Sequence, residues 1–292
     1  VIVSFFSDDV IHDCIQSIPK DIKIIVVDNS SNKEFKEKIE EKYKNIKCIL
    51  SPYNLGMGSG NNLGLKNTHT DFALILNPDV VLEKNSIDEL IDASKEIKTF
   101  SILAPTINSK ENLNYILFDK FQPINKENTP FKVRSVDGFA MLLNLKKLNQ
   151  INNFKNFNFF DENIFLFLEN DDLCKRINDS NQNIYIVPKS KINHLGASAV
   201  DKKFSYQIEL SRNWHWIWSK FYYNKKHYGY LIALFEGLPI FISATLKFIF
   251  YSIIKNRKKK EIYLYRLLGY FNAAIGSKSY YRPNIKISDQ EN

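Results

Sequence analysis

Short apolar runs alternate with helix-patterned segments over the first 105 residues, and this alternation restricts the fold more than any other feature. Strands that alternate with helices form βαβ units with parallel strands. Residues 24–27 are apolar throughout, which is typical of a strand covered on both faces. We therefore predict an α/β fold with a mostly parallel sheet, whose ligands bind at the carboxyl ends of the strands. Predicted strands cover 1–6, 22–27, 46–50 and 72–76, and predicted helices 8–18, 33–43, 57–67 and 84–97.

The charge of the chain changes sign along its length. Residues 1–201 contain 24 Lys and Arg against 27 Asp and Glu, a net −3, whereas residues 202–292 contain 16 against 5, a net +11. The basic residues of the second part lie between long apolar stretches. This arrangement favours anionic lipid as the partner over nucleic acid, for which the chain has no motif.

The division predicted from these patterns is a catalytic domain at 1–204 and a helical, membrane-associating region at 205–292. Residues 228–254 are strongly apolar, with an interruption expected at Gly237 and Pro239, and four basic residues follow at 257–260. We expect a pair of amphipathic helices lying on the inner face of a membrane. One alternative is that residues 228–254 span the membrane as a helix. Another is that these helices pack on the catalytic domain or form a homodimer.

The cysteines of the chain indicate the cellular compartment in which the protein is expected. There are three, and they are widely separated: Cys14, Cys48 and Cys174. No CxxC pair occurs and the number is odd, so the sequence predicts neither a disulfide framework nor a zinc site. A cytoplasmic protein attached peripherally to the inner membrane fits best.

Two polar segments follow predicted strands and could contact a nucleotide. Asp28 ends the second strand, where it could accept hydrogen bonds from a ribose or base, or cap the next helix. The glycine-rich segment 54–64 leads into a helix, where a backbone can approach a phosphate closely. Its alternative is a tight turn that needs small residues.

Acidic residues in two segments of the chain indicate a metal-binding site and a general base. Asp79 follows the fourth strand with Asn77, and Mg²⁺ in proteins takes one or two carboxylates together with substrate phosphates. A plain turn at Pro78 is the alternative. Helical spacing places Glu169, Asp172 and Arg176 on one face, as a general base or as an Asp172–Arg176 ion pair on a solvated helix.

In this order, these segments resemble the inverting glycosyltransferases of family 2, and within it the bacterial rhamnosyltransferase branch. The resemblance implies a Rossmann-like glycosyltransferase-A fold and a nucleotide-activated sugar as donor. The matching segments are 26–31 (VVDNSS), 54–56 (NLG), 62–64 (NLG), 76–79 (LNPD), 137–138 (DG), 160–162 (FDE), 169–176 (ENDDLCKR) and His194.

The resemblance also implies roles for individual residues. Asp79 would hold Mg²⁺ or Mn²⁺ and His194 would complete the metal or diphosphate site. Asp172, or alternatively Glu169, would be the catalytic base. The donor-binding residues would be Asp28, Ser30, Asn54, Gly56, Asn62, Asn77, Asp137 and Gly138.

One departure affects the chemistry. The family usually has the carboxylate that acts as the catalytic base at the position of Asn170, and an amide does not take up a proton near neutral pH.

The predicted function is inverting transfer, with dTDP-rhamnose as the preferred donor and a lipid-linked or cell-surface glycan precursor as acceptor. The alternatives are a family 2 enzyme that uses a UDP-sugar and a catalytically silent subunit that binds nucleotide sugars.

Overall fold

The computed structural model describes residues 1–108, 113–119, 128–151, 154, 158–196 and 200–282. The chain forms two compact units, one of Val1–Glu162 with Glu169–Asp201 and the other of Asn163–Leu168 with Lys202–Asn292. The short segment 163–168 therefore belongs to the second unit, although it lies within the domain predicted to end at residue 204.

The first unit begins with the predicted alternation of strands and helices. Its strands are β1 (Ile2–Ser4), β2 (Ile24–Asp28), β3 (Ile46–Leu50) and β4 (Phe72–Leu76). The helices between and after them are α1 (Asp8–Gln16), α2 (Lys33–Lys42), α3 (Met57–Lys66) and, beyond β5 (Val80–Leu82), α4 (Ser86–Glu96). All eight predicted elements are present, with ends that differ by a few residues from prediction.

The rest of the described chain adds shorter strands and longer helices. The first unit continues with β6 (Phe100–Ile107), β7 (Tyr115–Ile116), β8 (Phe131–Lys132), β9 (Ser135–Val136), β10 (Ala140–Asn144), α5 (Leu145–Leu148), α6 (Glu169–Asp179) and β11 (Asn183–His194). The second unit has α7 (Ser205–Tyr228), α8 (Tyr230–Ile253) and α9 (Arg257–Ala274).

Within the described residues, the main sheet has the strand order β3-β2-β1-β4-β10-β6-β11-β5, with β8 also paired to β11. Strand β10 runs antiparallel to both β4 and β6, and β11 runs parallel to β6. The strands β1, β2, β3, β4, β6 and β11 consequently share one direction. The predicted α/β fold with a mostly parallel sheet is confirmed.

The sheet brings several polar segments to one edge, which we call the strand-end edge. Ser4 of β1 aligns with Asp28, and Asp28 aligns with Leu50 of β3. Strand β10 starts opposite the end of β4, with Ala140 beside Leu76. Because β10 is antiparallel to β4, the residues before it lie at the same edge as the residues after β4.

Both faces of the sheet are covered, as the continuous apolar strands predicted. Along β4, Ala73 and Ile75 belong to one buried apolar cluster, whereas Leu76 belongs to another. Successive side chains of a strand point to opposite faces, so the two clusters cover opposite faces of the sheet. The carboxyl ends of the strands are then the place where polar side chains can meet a ligand.

Helix α6 starts later than the sequence pattern predicts. The periodicity predicts a helix over 165–178, but Phe167 and Leu168 have φ angles of 68° and 65°. A positive φ is incompatible with a right-handed helix. The helix therefore begins at Glu169, which becomes a first-turn residue.

Helix α8 is continuous where an interruption was predicted. It passes through Pro239, and Gly237 packs closely against the ring of Tyr270 on α9. Gly237 thus provides room for a neighbouring helix instead of ending its own. Among the described residues α8 is the one helix that is long and apolar enough to cross a membrane, judged by length and composition alone.

Candidate functional site

Asp28 is buried at the end of β2, and its carboxylate is held by the loop that follows. Oδ1 accepts hydrogen bonds from the Ser30 backbone N–H at 3.1 Å and hydroxyl at 2.7 Å, while Oδ2 accepts from the Asn32 N–H at 2.8 Å. Burial raises the pKa of Asp28, while these hydrogen bonds act in the opposite direction. Asn32, not Asp28, caps α2 by accepting from the Phe35 N–H.

Asn29, to which no sequence pattern assigns a role, contacts the glycine-rich turn. Its side-chain amide donates to the Gly56 carbonyl at 3.0 Å, and Gly56 has a φ of 81° at the start of α3. The Gly56 N–H in turn donates to Asn54 Oδ1 at 3.1 Å. Asn29 therefore fastens the glycine-rich turn to the end of β2. The sequence feature that could have identified Asn29 is its position directly after Asp28.

Asn62, predicted to bind the donor, is placed in a structural role. Its side chain is fully buried. It donates to the Phe160 carbonyl at 2.9 Å and accepts from the Phe160 N–H at 3.0 Å. It also donates to Glu162 Oε1 at 3.1 Å. The amide thus holds the 160–162 loop against α3, and these bonds occupy both of its polar ends.

Asp79 and His194 approach each other at the strand-end edge. His194 Nε2 lies 3.4 Å from Asp79 Oδ1, and the His194 ring packs on Phe139 with 4.2 Å between centroids. A metal ligand that follows a strand is expected to be exposed in a cleft, but Asp79 is only 2% exposed. Burial follows from β11, whose last residue His194 aligns with Val80 and brings Leu195 N–H onto the Asp79 carbonyl.

The atoms around Asp79 suit a divalent cation completed by a ligand. Asp79 Oδ1 and Asn77 Oδ1 are buried and accept no hydrogen bond from any described residue. A buried polar atom without a partner is costly unless something else binds it. The described residues contain no group of three or more His, Cys, Asp or Glu side chains placed to hold a metal. One carboxylate and one imidazole fit Mg²⁺ or Mn²⁺ only if phosphates and water complete the coordination.

Asp137 and Gly138 lie at the same edge, directly before β10. The Asp137 side chain is exposed, but nearby protein partly desolvates it and raises its pKa, with the Asp171 carboxylate adding to the effect and His194 opposing it. Gly138 packs against Asn170, since a Cβ on the glycine would lie 3.1 Å from Asn170 Cβ. The Asn170 amide also donates to the Val136 carbonyl at 2.9 Å. Asn170 therefore holds the Asp137–Gly138 segment in place.

Glu169, the first residue of α6, has the properties of a base. Burial raises its pKa to about 7, with a further contribution from the Asp171 carboxylate. Its Oε2 atom is buried without a hydrogen-bond partner in the described part of the chain. A carboxyl group that titrates near pH 7 can accept a proton during turnover at physiological pH.

Asp172, the first choice of base from the resemblance, is buried and paired with an arginine. Its side chain is 0% exposed, and Arg176 Nε donates to Asp172 Oδ2 at 2.8 Å. The same guanidinium binds the Phe159 carbonyl and covers the Phe154 ring. The ion pair that was the alternative interpretation is present, but it is buried instead of solvated. A carboxylate paired with a buried arginine is poorly placed to deprotonate an acceptor, whereas Glu169 keeps an oxygen without a partner among the described residues, so the geometry favours Glu169.

The sequence pattern of glycosyl transferase family 2 matches residues 1–175, which include the first turns of α6 and the candidate residues of the strand-end edge other than His194. The chain belongs to this family. The match ends one residue before Arg176 and leaves the second unit outside, apart from residues 163–168. The predicted family is thereby confirmed, and the matched residues contain the candidate site except for His194.

Curated relatives carry two kinds of transferase name. The chain is 27% identical over 203 residues to the low-salt glycan biosynthesis hexosyltransferase Agl10 of Haloferax volcanii, covering 63% of this chain and 62% of the relative. It is 21% identical over 209 residues to an N-acetylglucosaminyl-diphospho-decaprenol L-rhamnosyltransferase of Mycobacterium tuberculosis, covering 59% and 66%. The chain thus spans slightly less than two thirds of the length of each.

Solved structures share the fold at low identity. The S. aureus TarS fragment 1–349 in complex with UDP superimposes with a TM-score of 0.51 at 14% identity, over 97% of this chain and 92% of the fragment. GalNAc-T7 with UDP, GalNAc and Mn²⁺ gives a TM-score of 0.54 at 14% identity, over 66% of this chain and 42% of that protein. The predicted glycosyltransferase-A fold is confirmed by these likenesses.

Proposed function

We propose that this protein transfers a sugar from a nucleotide diphosphate donor to an acceptor hydroxyl, with inversion at the anomeric carbon. The observation that carries the proposal is the set of groups at the strand-end edge of a family 2 chain. Asp28 lies at the end of β2, Asp79 and His194 face each other 3.4 Å apart, and Asp137 precedes β10. In parallel α/β sheets this edge is where ligands bind.

Asp28, Ser30 and the glycine-rich turn at Asn54–Gly56 would bind the nucleoside part of the donor. Asp79 and His194 would hold Mg²⁺ or Mn²⁺ next to the diphosphate, with Asn77 Oδ1 as a nearby acceptor for a coordinated water. When bound, the metal supplies neutralisation of the negative charge on the leaving diphosphate. Asp137 and the backbone at Gly138 would face the donor sugar.

Glu169 would act as the general base in place of the missing carboxylate at Asn170. The acceptor oxygen attacks the anomeric carbon from the face opposite the diphosphate and its proton passes to Glu169. The new C–O bond forms as the bond to the diphosphate oxygen breaks. The products are the glycoside of inverted configuration and the nucleoside diphosphate.

For the substrates we propose dTDP-rhamnose and a lipid-linked or cell-surface glycan precursor, used at the inner face of a membrane. The M. tuberculosis relative, named as a rhamnosyltransferase for a diphospho-decaprenol acceptor, supports this choice. A UDP-sugar is the alternative donor, because the TarS and GalNAc-T7 structures contain UDP. A catalytically silent subunit is the second candidate function, and Asn170 is the residue that favours it.

A two-step experiment tests these proposals. The melting temperature is measured with a panel of nucleotide sugars and Mn²⁺, because a ligand at 100 times its dissociation constant stabilises the folded state by about 2.7 kcal/mol. Donors that bind are then assayed for release of nucleoside diphosphate with hydroxyl acceptors, and the product anomer is determined by NMR. Binding with no transfer to any acceptor supports the silent subunit, and retained configuration contradicts the single displacement.

A further inference from the structure

Helix α8 carries a row of exposed apolar side chains, which we call the α8 stripe. Its members recur at intervals of three or four residues, so they lie on one face of the helix. Each is between 43% and 74% exposed. The stripe consists of Phe235, Leu238, Ile242, Leu246, Ile249 and Ile253. An apolar row of this length on a protein surface indicates a binding face.

The opposite face of α8 is already covered within the second unit. Ala233 and Ala244 are buried, and Gly237 lies against Tyr270. Tyr270 also donates from its hydroxyl to the Leu234 carbonyl at 3.3 Å. The two charged residues of α8, Glu236 and Lys247, fall about 100° or more around the helix from the centre of the stripe. The stripe is therefore a clean apolar face with a fixed orientation in its unit.

Cationic residues are present at both ends of α8. At the start, Lys225 and Lys226 are exposed in the last turn of α7. At the other end, all the basic side chains of the connection and the first turn of α9 are exposed: Lys255, Arg257, Lys258, Lys259 and Lys260. The two groups lie about 36 Å apart along a 24-residue helix. Anionic headgroups bind such clusters of cationic side chains.

The charge pattern selects among the possible occupants of the stripe. Residues 202–292 carry a net +11, so two copies joined along the stripe would bring like charges together. A spanning α8 would take α7 and α9 into lipid with it, since all three helices share one apolar cluster. Polar pairs link those two helices, including Lys258 with Glu209 and Arg266 with Asn213. Placing them in hydrocarbon is expensive.

We propose that the α8 stripe is a docking face for a bilayer containing anionic lipid, with α8 lying in the plane of the interface. The apolar side chains enter the acyl boundary while the cations at both ends contact headgroups. This deepens the membrane location given under the proposed function. It does not depend on transfer chemistry.

Vesicle sedimentation tests the proposal with the full chain. Phosphatidylcholine vesicles with 30% phosphatidylglycerol are expected to pellet the protein at low salt, and pure phosphatidylcholine vesicles much less. Leu246→Glu should weaken partitioning by about tenfold or more, because burial of a leucine side chain is lost. Leu113→Glu changes an equally exposed leucine of the first unit and is the matched control. Lys259→Glu with Lys260→Glu should act likewise, compared with the exposed pair Lys20→Glu and Lys98→Glu.

Depth measurements distinguish an in-plane helix from a spanning one. The native cysteines are buried, so single cysteines introduced at Phe235, Ile242 and Ile253 can be labelled with an environment-sensitive fluorophore. Quenching by brominated lipids should give similar depths at all three sites. A deep central site with shallow ends would overturn the in-plane arrangement.

Two further outcomes contradict the proposal itself. One is pelleting that Leu246→Glu leaves unchanged. The other is a concentration-dependent dimer in sedimentation velocity that the same substitution abolishes, which would make a second copy the occupant. Donor binding is followed by thermal shift on the same preparations. A failure of the proposed transferase function is therefore seen separately from a failure of membrane docking.

Discussion

The two units depart from ordinary packing in opposite ways. In the first unit, polar atoms of Asn77 and Asp79 at the strand-end edge and of Glu169 at the start of α6 are buried without hydrogen-bond partners among the described residues. On α8 of the second unit, large apolar side chains are exposed. Both conditions raise the free energy of the isolated chain. Each is relieved by a partner of the complementary kind, a polar ligand in the first case and an apolar surface in the second.

The largest expected effect is at Asp79. Asp79→Ala should abolish transfer, because Asp79 is the buried carboxylate beside His194 in the described part of the site. The melting temperature should fall little or rise, because the substitution removes a buried oxygen that has no hydrogen-bond partner among the described residues. A purified variant is assayed for nucleoside diphosphate release, with Asp88→Ala on the exposed surface of α4 as control. Full activity in this variant, or in the native protein with EDTA, contradicts a metal at this position.

Asp172→Asn should act on stability more than on turnover. Breaking a buried ion pair leaves an uncompensated charge on Arg176, at a cost of about 3 kcal/mol in the free energy of unfolding. Urea denaturation measures this loss, and Asp179→Asn, which removes an exposed pair with Lys175, is the control. If turnover instead falls about 10²-fold at unchanged stability, Asp172 is the base after all.

Glu169→Gln should lower turnover by about 10²-fold, the usual contribution of a general base. The pKa of Glu169 is about 7, and the base must be deprotonated. Activity of the native protein should therefore rise with pH through about 7, and the variant should lack this rise. A pH profile of kcat for both proteins checks the prediction. An unchanged profile in the variant would remove Glu169 from this role.

His215 in the second unit contrasts with these buried carboxylates, because both nitrogens of its buried ring have hydrogen-bond partners. Its nitrogens lie 2.8 Å from the Tyr281 carbonyl and 3.0 Å from the Ser279 hydroxyl, and burial lowers its pKa from 6.5 to about 3. As the pH falls, the unfolded chain takes up the proton on His215 before the folded protein does. The contribution of His215 to the free energy of unfolding is therefore fully present above pH 6.5 and is lost progressively below it. The loss at pH 5 should be about 2 kcal/mol. His215→Gln should remove this part of the pH dependence in urea titrations.

The smallest expected effect is at Asn170, where substitutions test whether this residue positions the neighbouring backbone or occupies a place that can still hold the catalytic base. Asn170→Asp restores the usual family carboxylate but removes the amide that donates to the Val136 carbonyl. Loss of one hydrogen bond of about 1 kcal/mol should lower turnover severalfold. Asn170→Ala should give a similar loss. A clear gain of activity in the Asp variant would show that position 170 can still hold the base.

The order of strands and helices could be predicted from local patterns, because apolar runs and helical periodicity record which faces are buried. The polar residues after each strand were found for the same reason, since parallel strands end at one edge. The roles assigned to Asp28, Asp79, Asp137 and His194 remain predictions. Their placement at that edge is what the fold supplies.

Long-range contacts set the features that the local patterns missed. The apolar pattern near the end of the first unit predicts a strand over 183–187 only, whereas β11 continues past Pro188 through a register shift against β6 and so carries His194 to Val80. Gly237 and Pro239 resemble a helix break in sequence, but Tyr270 from another helix packs there. Neither contact is visible in a sequence window.

By itself, the sequence determined the α/β class, the family and the edge at which the polar residues gather, because each depends on spacing within short segments. Only the tertiary structure decided which carboxylate pairs with an arginine and which keeps an oxygen without a hydrogen-bond partner among the described residues. Glu169, Asp172 and Arg176 share a helix face in any helical model of the segment. Phe154 and the Phe159 carbonyl then bind the arginine and bury Asp172, while Glu169 keeps an unpaired oxygen. Burial is a property of the whole packed domain, so the raised pKa of Glu169 is as well.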